Sequence, residues 1–337
     1  MLEKKDIKVT VYCLAFNHAK YIEKTLNGFV SQKTSFSVKF VVHDDASTDS
    51  TAEIIKRYED KYPGVIQGIY QKENQYSKGE KILLKYILPH VEGEYVAVCE
   101  GDDYWSDPMK LQRQVEMLDN HRNCFMCVHK TKEIFEDGQA TGFFYPNVVL
   151  ETGIIKREDF LKMRYGFHTS SYLFRKDEWA SYISNPPSFK VTYGVGDVPY
   201  MLYFGALGDV AYIETEMSCY RRGVITSWSV QHTKLNAESL AKHSSQIYIM
   251  YDEFDKYTKG QFKEICMTRK AVYKMQEVVL LGKPKKLLNN EYRKLISFLP
   301  YSRRLFLLCS LISPRMMKKM YISHLESNNN KWLKNRG

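Results

Sequence analysis

The chain has 337 residues, of which 44% are hydrophobic and 26% are charged, and these proportions exclude a disordered, collagen-like or fibrous protein. The net charge of +10 is confined to one end, because residues 283–337 carry +11 and residues 1–282 carry −1. A nearly neutral body argues against nucleic acid as a partner, since an enzyme acting on nucleic acid needs basic surface around its cleft. The seven scattered cysteines predict reduced, buried thiols.

Strand and helix patterns alternate over the first 120 residues. Apolar, β-branched runs predict strands at 8–15, 38–42, 65–70 and 95–99. Helical spacing of apolar residues predicts helices near 21–30, 54–58, 81–88 and 111–118. This βαβα order indicates an α/β fold with a doubly wound, parallel sheet.

The rest of the chain has a less regular pattern. Strands are predicted at 127–131 and 170–174, and a helix at 198–204. Residues 236–300 are helical by periodicity, and a basic, apolar tail follows Pro300. We therefore divide the chain into a domain of residues 1–235, a helical extension of residues 236–300 and a tail of residues 301–337.

The N-terminus is charged and has no signal-peptide core. The longest nearly apolar run, Leu305 to Ile312, is too short to span a bilayer. We therefore expect a cytoplasmic protein.

Polar residues follow three of the predicted strands, and the carboxyl ends of parallel strands meet at the edge where ligands bind. The three segments are Ala15-Phe16-Asn17-His18, His43-Asp44-Asp45-Ala46-Ser47 and Glu100-Gly101-Asp102-Asp103-Tyr104-Trp105. Three carboxylates this close repel one another unless they share a cation, and oxygen ligands suit Mg²⁺ or Mn²⁺. The glycine-rich fingerprints of dinucleotide and P-loop sites are missing from the sequence.

These segments resemble the nucleotide-sugar domain of family 2 glycosyltransferases over about residues 6–230. The run from Val41 to Asp49 is similar to the family's D-D-x-S-T-D motif, and Asp102 to Leu111 is similar to a motif of the branch that builds bacterial surface polysaccharides. The resemblance implies a GT-A fold, a Rossmann-like and mostly parallel central sheet flanked by helices, here with a helical C-terminal extension. Where the family usually has Asp-x-Asp, this chain has Glu100-Gly101-Asp102.

The resemblance implies a nucleotide-sugar donor, a UDP-sugar or dTDP-sugar. Either Asp44 or Asp45 would accept the uracil N–H, and the alternative is a plain helix cap or Asx turn. Ala15 and Asn17 would line the base and ribose, with an ordinary strand-end turn as the alternative.

The same resemblance assigns Glu100, Asp102 and Asp103 to the ribose and to a Mn²⁺ or Mg²⁺ ion, and the alternative is a solvated acidic turn. His232 is a further candidate, as a distant metal ligand. The metal would neutralise the charge that develops on the leaving nucleoside diphosphate.

Asp197 is implied as the general base of an inverting displacement, and a simple helix N-cap is the alternative. We expect the helix start to lower the pKa of Asp197. Arg221 and Arg222 resemble the family's closing loop and would bind the diphosphate, unless they form surface salt bridges. His168, Thr169 and Trp228 are implied as acceptor contacts.

The basic tail predicts an amphipathic helix from Arg315 to Glu326. Its apolar arc holds Met316, Met317, Met320, Tyr321 and Leu325, and its basic arc holds Arg315, Lys318 and Lys319. This pattern favours contact with an anionic membrane surface, and a helix packed on the body or on another subunit is the alternative.

The sequence thus favours an inverting, metal-dependent glycosyltransferase that acts on a growing polysaccharide or lipid-linked glycan at the inner face of the plasma membrane. Two alternatives stay open: a nucleotidyltransferase of related fold, and a non-catalytic scaffold that binds glycan or membrane. Homo-oligomer formation is also left open.

Overall fold

A computed structural model describes residues 6–163, 166–192, 197–224 and 236–323 of the chain. It divides into two compact units. The first unit runs to Pro186 and resumes from Tyr203 to Val224. The second unit holds Pro187–Leu202 and the described residues from Asn236 onwards. Residues 187–202 therefore belong to the second unit, although the sequence division places them in the domain of residues 1–235.

Ten strands of the described residues form one sheet in the first unit, in the order β3–β2–β1–β4–β9–β6–β10–β5, with β7 beside β6 and β8 beside β10. The strands are β1 (Ile7–Ala15), β2 (Ser37–Asp44), β3 (Ile66–Tyr70), β4 (Tyr95–Val98), β5 (Tyr104–Trp105), β6 (Cys124–Phe135), β7 (Ala140–Tyr145), β8 (Gly153–Ile155), β9 (Leu173–Arg175) and β10 (Asp209–Arg222).

The sheet has a parallel half and a mixed half. Strands β3, β2, β1 and β4 pair in parallel, as their buried apolar sequences predict. Strand β9 is antiparallel to both β4 and β6, whereas β6 and β10 are parallel. The α/β fold with a helical C-terminal region is confirmed, and the uniformly parallel pattern ends after β4.

Helices alternate with these strands along the chain, and the last two helices of the series lie wholly or partly in the second unit. They are α1 (Ile22–Val30), α2 (Thr51–Lys61), α3 (Lys110–Asn120), α4 (Arg157–Lys162), α5 (Lys176–Ser184), α6 (Ser188–Thr192) and α7 (Asp197–Leu207). The helix predicted at 81–88 is instead a π-helical turn, Leu83–Ile87, followed by a 3₁₀ turn, Leu88–His90. Pro89 explains the change, because it has no N–H to continue an α-helical ladder.

A core of the first unit lies between the sheet, in both its parallel and mixed halves, and helices α1, α2 and α3. Inward-facing residues of β1, such as Val9 and Val11, pack with Leu26 and Phe29 of the helix. The Trp105 ring meets the Phe29 ring edge-on at 5.0 Å between centroids. Gly28 permits this approach, since a Cβ there would lie 2.8 Å from the Trp105 carbonyl oxygen. The chain just after the acidic segment is thereby fixed to the core.

The second unit is helical, as the periodicity predicts. After α6 and the start of α7 it contains α8 (Ala237–Tyr257), α9 (Lys263–Leu280), α10 (Asn290–Arg293), α11 (Tyr301–Ile312) and α12 (314–323), with 3₁₀ turns at Pro284–Leu288 and Lys294–Phe298. Its core joins α8, α9, α11 and α12, and includes Met275, Leu307 and Tyr321. Within the part of the chain that is described, no helix has the length and apolar character needed to cross a bilayer.

All seven cysteines lie among the described residues and are free thiols. Six of them are buried, and Cys309 is exposed. Burial is confirmed for six of the seven thiols, and the prediction of a buried thiol is wrong for Cys309.

Candidate nucleotide and catalytic site

The carboxyl ends of β1, β2 and β4 bring the first two predicted segments and the acidic segment together. Ala15 ends β1 directly beside Asp44, which ends β2. The Asp45 N–H donates to the Ala15 carbonyl at 2.9 Å, and the Gly101 N–H donates to the Leu14 carbonyl at 3.0 Å. Ala15 therefore lies between the loop that follows β2 and the loop that follows β4. This is the arrangement expected where neighbouring parallel strands end at one edge of a sheet.

Asn17 connects the two loops that follow β1 and β2. Its N–H donates to Ser47 Oγ at 2.9 Å, and its Oδ1 accepts from the Thr48 N–H at 2.8 Å. Asn17 and Ala46 both have left-handed backbone conformations, with φ of 55° and 60°. The side chain of Asn17 is thus occupied in shaping the loop, while its backbone lines the sheet edge.

The two neighbouring aspartates differ in what their carboxylates contact. Asp45 uses both oxygens on one loop, accepting from the backbone N–H groups of Gln75 at 2.7 Å and Tyr76 at 3.0 Å. Asp44 Oδ2 accepts from the Ser47 N–H at 3.1 Å, but Asp44 Oδ1 is buried and has no partner among the described residues. A buried acceptor without a donor is costly, so Asp44 Oδ1 is suited to a donor on a ligand.

His18 presents a second buried atom at the same edge. Its Nδ1 lies without a partner among the described residues. Burial lowers the pKa of His18, against the opposing effect of Asp102, so the ring is neutral at physiological pH. A Cβ on residue 101 would lie 2.7 Å from this nitrogen, which explains why glycine separates Glu100 from Asp102.

The carboxyls of the acidic segment after β4 affect one another's ionisation. Thr25 Oγ1 donates to the Asp103 carbonyl at 2.5 Å and contacts the Gly101 carbonyl at 3.1 Å. Burial, reinforced by Asp102, raises the pKa of Glu100 to about 8. Burial, again reinforced by Asp102, raises the pKa of Asp103. A bound cation would relieve this unfavourable burial of acids.

Asp103 faces inward and is already engaged. It is 2% exposed, its Oδ1 accepts from the Arg221 N–H at 2.8 Å, and its Oδ2 lies 3.7 Å from His168 Nδ1. Among the described residues, no three His, Cys, Asp or Glu side chains are arranged as a metal site. Of the predicted ligands, Asp102 and Glu100 remain as candidates, and His232 lies outside the described residues.

Arg221 lies beneath the acidic segment and supports it. The side chain is 5% exposed, and its Nε and Nη1 donate to the carbonyls of Asp102 and Glu136, each at 3.0 Å. Its guanidinium carbon lies 4.8 Å from the centre of the Tyr21 ring. These contacts are those of a residue that positions the acids, and its predicted role at the diphosphate stays a prediction.

Arg222 pairs with the fully buried Glu133, with 3.0 Å between Arg222 Nη1 and Glu133 Oε2. The surface salt bridge that we considered is thus replaced by a bond to a buried acid. The predicted role of Arg222 at the diphosphate also stays a prediction.

His168 lies in an aromatic cluster beside Asp103. Its ring stacks on Tyr220 at 4.2 Å between centroids, and Tyr145 lies 5.9 Å from it. Burial lowers the pKa of His168 to about 3, so the ring is neutral. Thr169 begins the 3₁₀ turn that follows. The sequence reasoning missed Tyr145, because only the pairing of β7 with β6 brings it here.

Asp197 belongs to the second unit, where it begins helix α7. Its Oδ1 accepts from the Val198 N–H at 2.8 Å, and the residue keeps one side open to solvent although many protein atoms surround its carboxyl. Burial by the surrounding protein raises the pKa of Asp197, whereas we expected the helix start to lower it. Desolvation outweighs the hydrogen bonds at the helix start. Trp228 lies outside the described residues.

Parts of this chain are similar to known proteins. A family model described as glycosyl transferase family 2 matches residues 10–180. An uncharacterised Mycobacterium tuberculosis protein is 33% identical over 232 residues, which are 67% of this chain and 62% of that protein. The matched part thus falls short of two thirds of that relative. TarS of Staphylococcus aureus, a poly(ribitol-phosphate) beta-N-acetylglucosaminyltransferase, is 31% identical over 120 residues, 35% of this chain and 20% of TarS.

A solved structure extends the likeness over nearly the whole chain. The crystal structure of S. aureus TarS residues 1–349 in complex with UDP-GlcNAc has a TM-score of 0.59 at 15% identity, and the match covers 96% of this chain and 92% of that one. This likeness shows a shared fold.

Proposed function

Because this chain belongs to glycosyl transferase family 2, we propose that it transfers a sugar from a UDP-sugar or dTDP-sugar to a hydroxyl of a growing bacterial polysaccharide or lipid-linked glycan. The observation that carries the donor assignment is Asp44 Oδ1, a buried carboxylate oxygen without a partner among the described residues. It lies at the carboxyl edge of parallel strands, beside an acidic loop, where a nucleotide with an N–H on its base would satisfy it.

Asp44, rather than Asp45, accepts the uracil N–H in this proposal. The Asp45 carboxylate already accepts two backbone N–H groups, so it fixes the loop of residues 74–76 instead. Ala15 and Asn17 line the base and ribose through their backbone, and Glu100 and Asp102 face the ribose and diphosphate.

We expect Asp44→Asn to abolish the preference for UDP over CDP. The carboxylate accepts from uracil N3–H but repels the bare N3 of cytosine, whereas an asparagine amide can donate to that nitrogen. Loss of one charge-assisted bond should weaken UDP binding by about 10- to 100-fold. Titration calorimetry with both nucleotides measures this. An unchanged preference for UDP in Asp44→Asn would contradict the assignment.

The donor set suits a metal ion that is held together with the substrate. Mg²⁺ is usually bound by one or two carboxylates plus substrate phosphates, and the same oxygen ligands suit Mn²⁺. Asp102, with Glu100 beside it, would hold the ion, since Asp103 is committed to Arg221. When bound, the metal supplies neutralisation of charge on the departing diphosphate.

We expect a screen of nucleotide-sugars with Mn²⁺ to find turnover of a UDP-sugar, and Asp102→Asn to reduce it by about 100- to 1,000-fold, since metal charge stabilisation is worth several kcal/mol. Asp60→Asn, a change at an exposed acid, is the matched control. A nucleotidyltransferase would instead release pyrophosphate from a nucleoside triphosphate and a sugar phosphate. A scaffold would show no turnover, and full activity of Asp102→Asn would overturn the proposal.

In the proposed reaction, Asp197 accepts the proton of the acceptor hydroxyl while that oxygen displaces the nucleoside diphosphate with inversion at the sugar carbon. The neutral His168, with Thr169 and Trp228, contacts the acceptor sugar. The His168–Tyr220 stack offers an aromatic surface for such a ring. The basic C-terminal region holds the protein at the inner face of the plasma membrane, where a lipid-linked acceptor would be presented.

A further inference from the structure

Helix α11 carries apolar side chains on the face turned away from the core of the second unit. Tyr301 and Ile312 are 83% and 86% exposed, and Leu305 and Leu308 are more than half exposed. At about 100° per residue these four positions fall within an arc of about 60°. We call these four residues the outer stripe. A continuous apolar stripe of this kind marks an interaction surface.

The residues of the outer stripe are not part of the hydrophobic core of the second unit. Leu307 and Ser310, on the opposite side of α11, are the residues that bury it in the core. The Phe306 ring contacts Tyr321 of α12 at 5.5 Å, which joins the two helices. The fold of the second unit therefore does not require an apolar outer stripe.

Helix α12 continues the same surface chemistry. The apolar arc predicted for it is divided, because Met317 and Tyr321 are buried, whereas Met316 and Met320 are exposed. Lys319 lies three residues after the exposed Met316 and Arg315 lies four residues before Lys319, so these side chains are neighbours on the helix surface. A groove of about 480 Å³ is lined by Arg315, Lys318, Lys319, Ile322 and Ser323.

The positive charge of helices α11 and α12 indicates an anionic partner. Residues 301–323 contain five arginines and lysines and no acidic residue. Two copies of this surface would bring like charges together, which disfavours a self-interface. An anionic bilayer satisfies both features, since it accepts exposed apolar side chains at the acyl boundary and attracts lysine and arginine to its phosphates.

We propose that helices α11 and α12 form a membrane-binding surface. The outer stripe, with Met316 and Met320, enters the interface of an anionic bilayer, and the basic groove binds a lipid phosphate. This assigns the predicted membrane contact mainly to Tyr301–Ile312, ahead of the helix that the sequence singled out. It rests on the proposed function only in that a lipid-linked acceptor would be presented here.

The test is co-sedimentation of the full chain with vesicles of phosphatidylglycerol and phosphatidylcholine, compared with phosphatidylcholine alone. We expect binding only to the anionic vesicles, and Tyr301→Glu with Ile312→Glu to weaken it at least about tenfold. Arg315→Gln and Lys319→Gln should each weaken it by about fivefold. Ile249→Glu, at an exposed apolar position of α8, is the matched control and should bind like the unchanged protein.

A fluorophore on Cys309, the one exposed thiol among the seven described, gives a second reading without changing the outer stripe. Its emission should shift to shorter wavelength with anionic vesicles and return with added salt. Failure of the unchanged protein to bind, or equal binding by the Tyr301→Glu, Ile312→Glu variant, overturns the proposal. The proposal is also overturned if the unchanged protein is a dimer, the Tyr301→Glu, Ile312→Glu variant is a monomer, and both bind vesicles equally. Donor turnover in solution is measured separately and should not change in that variant.

Discussion

Lys110→Met is expected to raise the free energy of unfolding at about pH 6 and to lower it at about pH 10. Lys110 is fully buried in the first unit, where its Nζ donates to Gln114 Oε1 at 2.7 Å and lies 4.0 Å from the centre of the Trp105 ring. Burial lowers the pKa of this ammonium group from 10.5 to about 7. At pH values where this lysine is charged in the unfolded chain, its burial therefore lowers the free energy of unfolding. Methionine has a similar length and no charge, so it does not have this effect.

The sign follows from proton binding. Between about pH 7 and 10.5 the unfolded chain binds more protons at this site than the folded chain, so folded-state stability rises with pH across that window. Below about pH 7 the full shift applies, and it corresponds to about 4–5 kcal/mol. Methionine removes that cost but leaves Gln114 Oε1 without its donor, which costs about 1–3 kcal/mol. The difference in the free energy of unfolding between Lys110→Met and the unchanged protein should thus change sign between acid and alkaline pH.

Urea unfolding at a series of pH values measures the difference. We expect Lys110→Met to be more stable by about 1–4 kcal/mol at about pH 6 and less stable by up to about 2 kcal/mol at about pH 10, where the lysine in the unfolded chain is still partly charged. Lys33→Met, at an exposed lysine, is the control for replacing a lysine by methionine at the surface. A flat difference for Lys110→Met would show that this lysine stays hydrated or charged in the folded protein.

The acids at the strand ends and the helices of the second unit could be predicted from the sequence. The motif Asp102 to Leu111 indicated function at its acids, and the strand ends placed Asp44 and Asp102 at one edge, because a parallel sheet puts its carboxyl ends together. Periodicity also found the helices of the second unit. Local patterns suffice for such features, since period and strand order determine them.

Contacts between distant segments could not be read in this way. Arg221 looked like a phosphate ligand, yet its partner carbonyls belong to Asp102 and Glu136, far away along the chain. The sequence does not distinguish Asp45 from Asp44, because the N–H groups that occupy the Asp45 carboxylate belong to Gln75 and Tyr76 in a later loop. Strand β10 was missed because exposed acids interrupt its apolar pattern near Glu216, where the pairing with β6 shifts register.

Asp197→Asn is expected to lower kcat for sugar transfer by about 10²- to 10⁴-fold, the usual contribution of a general base, with little change in the affinity for UDP. An amide of the same shape keeps the acceptor that the Val198 N–H uses at the start of α7, so the helix should form as before. The loss should therefore appear in turnover and not in the free energy of unfolding. Steady-state kinetics and urea unfolding of the same two proteins separate these effects.

The pH profile gives a sharper test of Asp197. A base must be ionised to accept a proton, so kcat rises as pH passes its pKa, and burial places that pKa above the ordinary 3.8 of an aspartate. The acid limb of the profile should thus lie above that value in the unchanged enzyme and vanish in Asp197→Asn. Asp177→Asn, in the first turn of α5 with its side chain 87% exposed, controls for the loss of charge at a helix start. If the acid limb survives in Asp197→Asn, or kcat falls less than about tenfold, another residue accepts the proton and Asp197 serves only its helix.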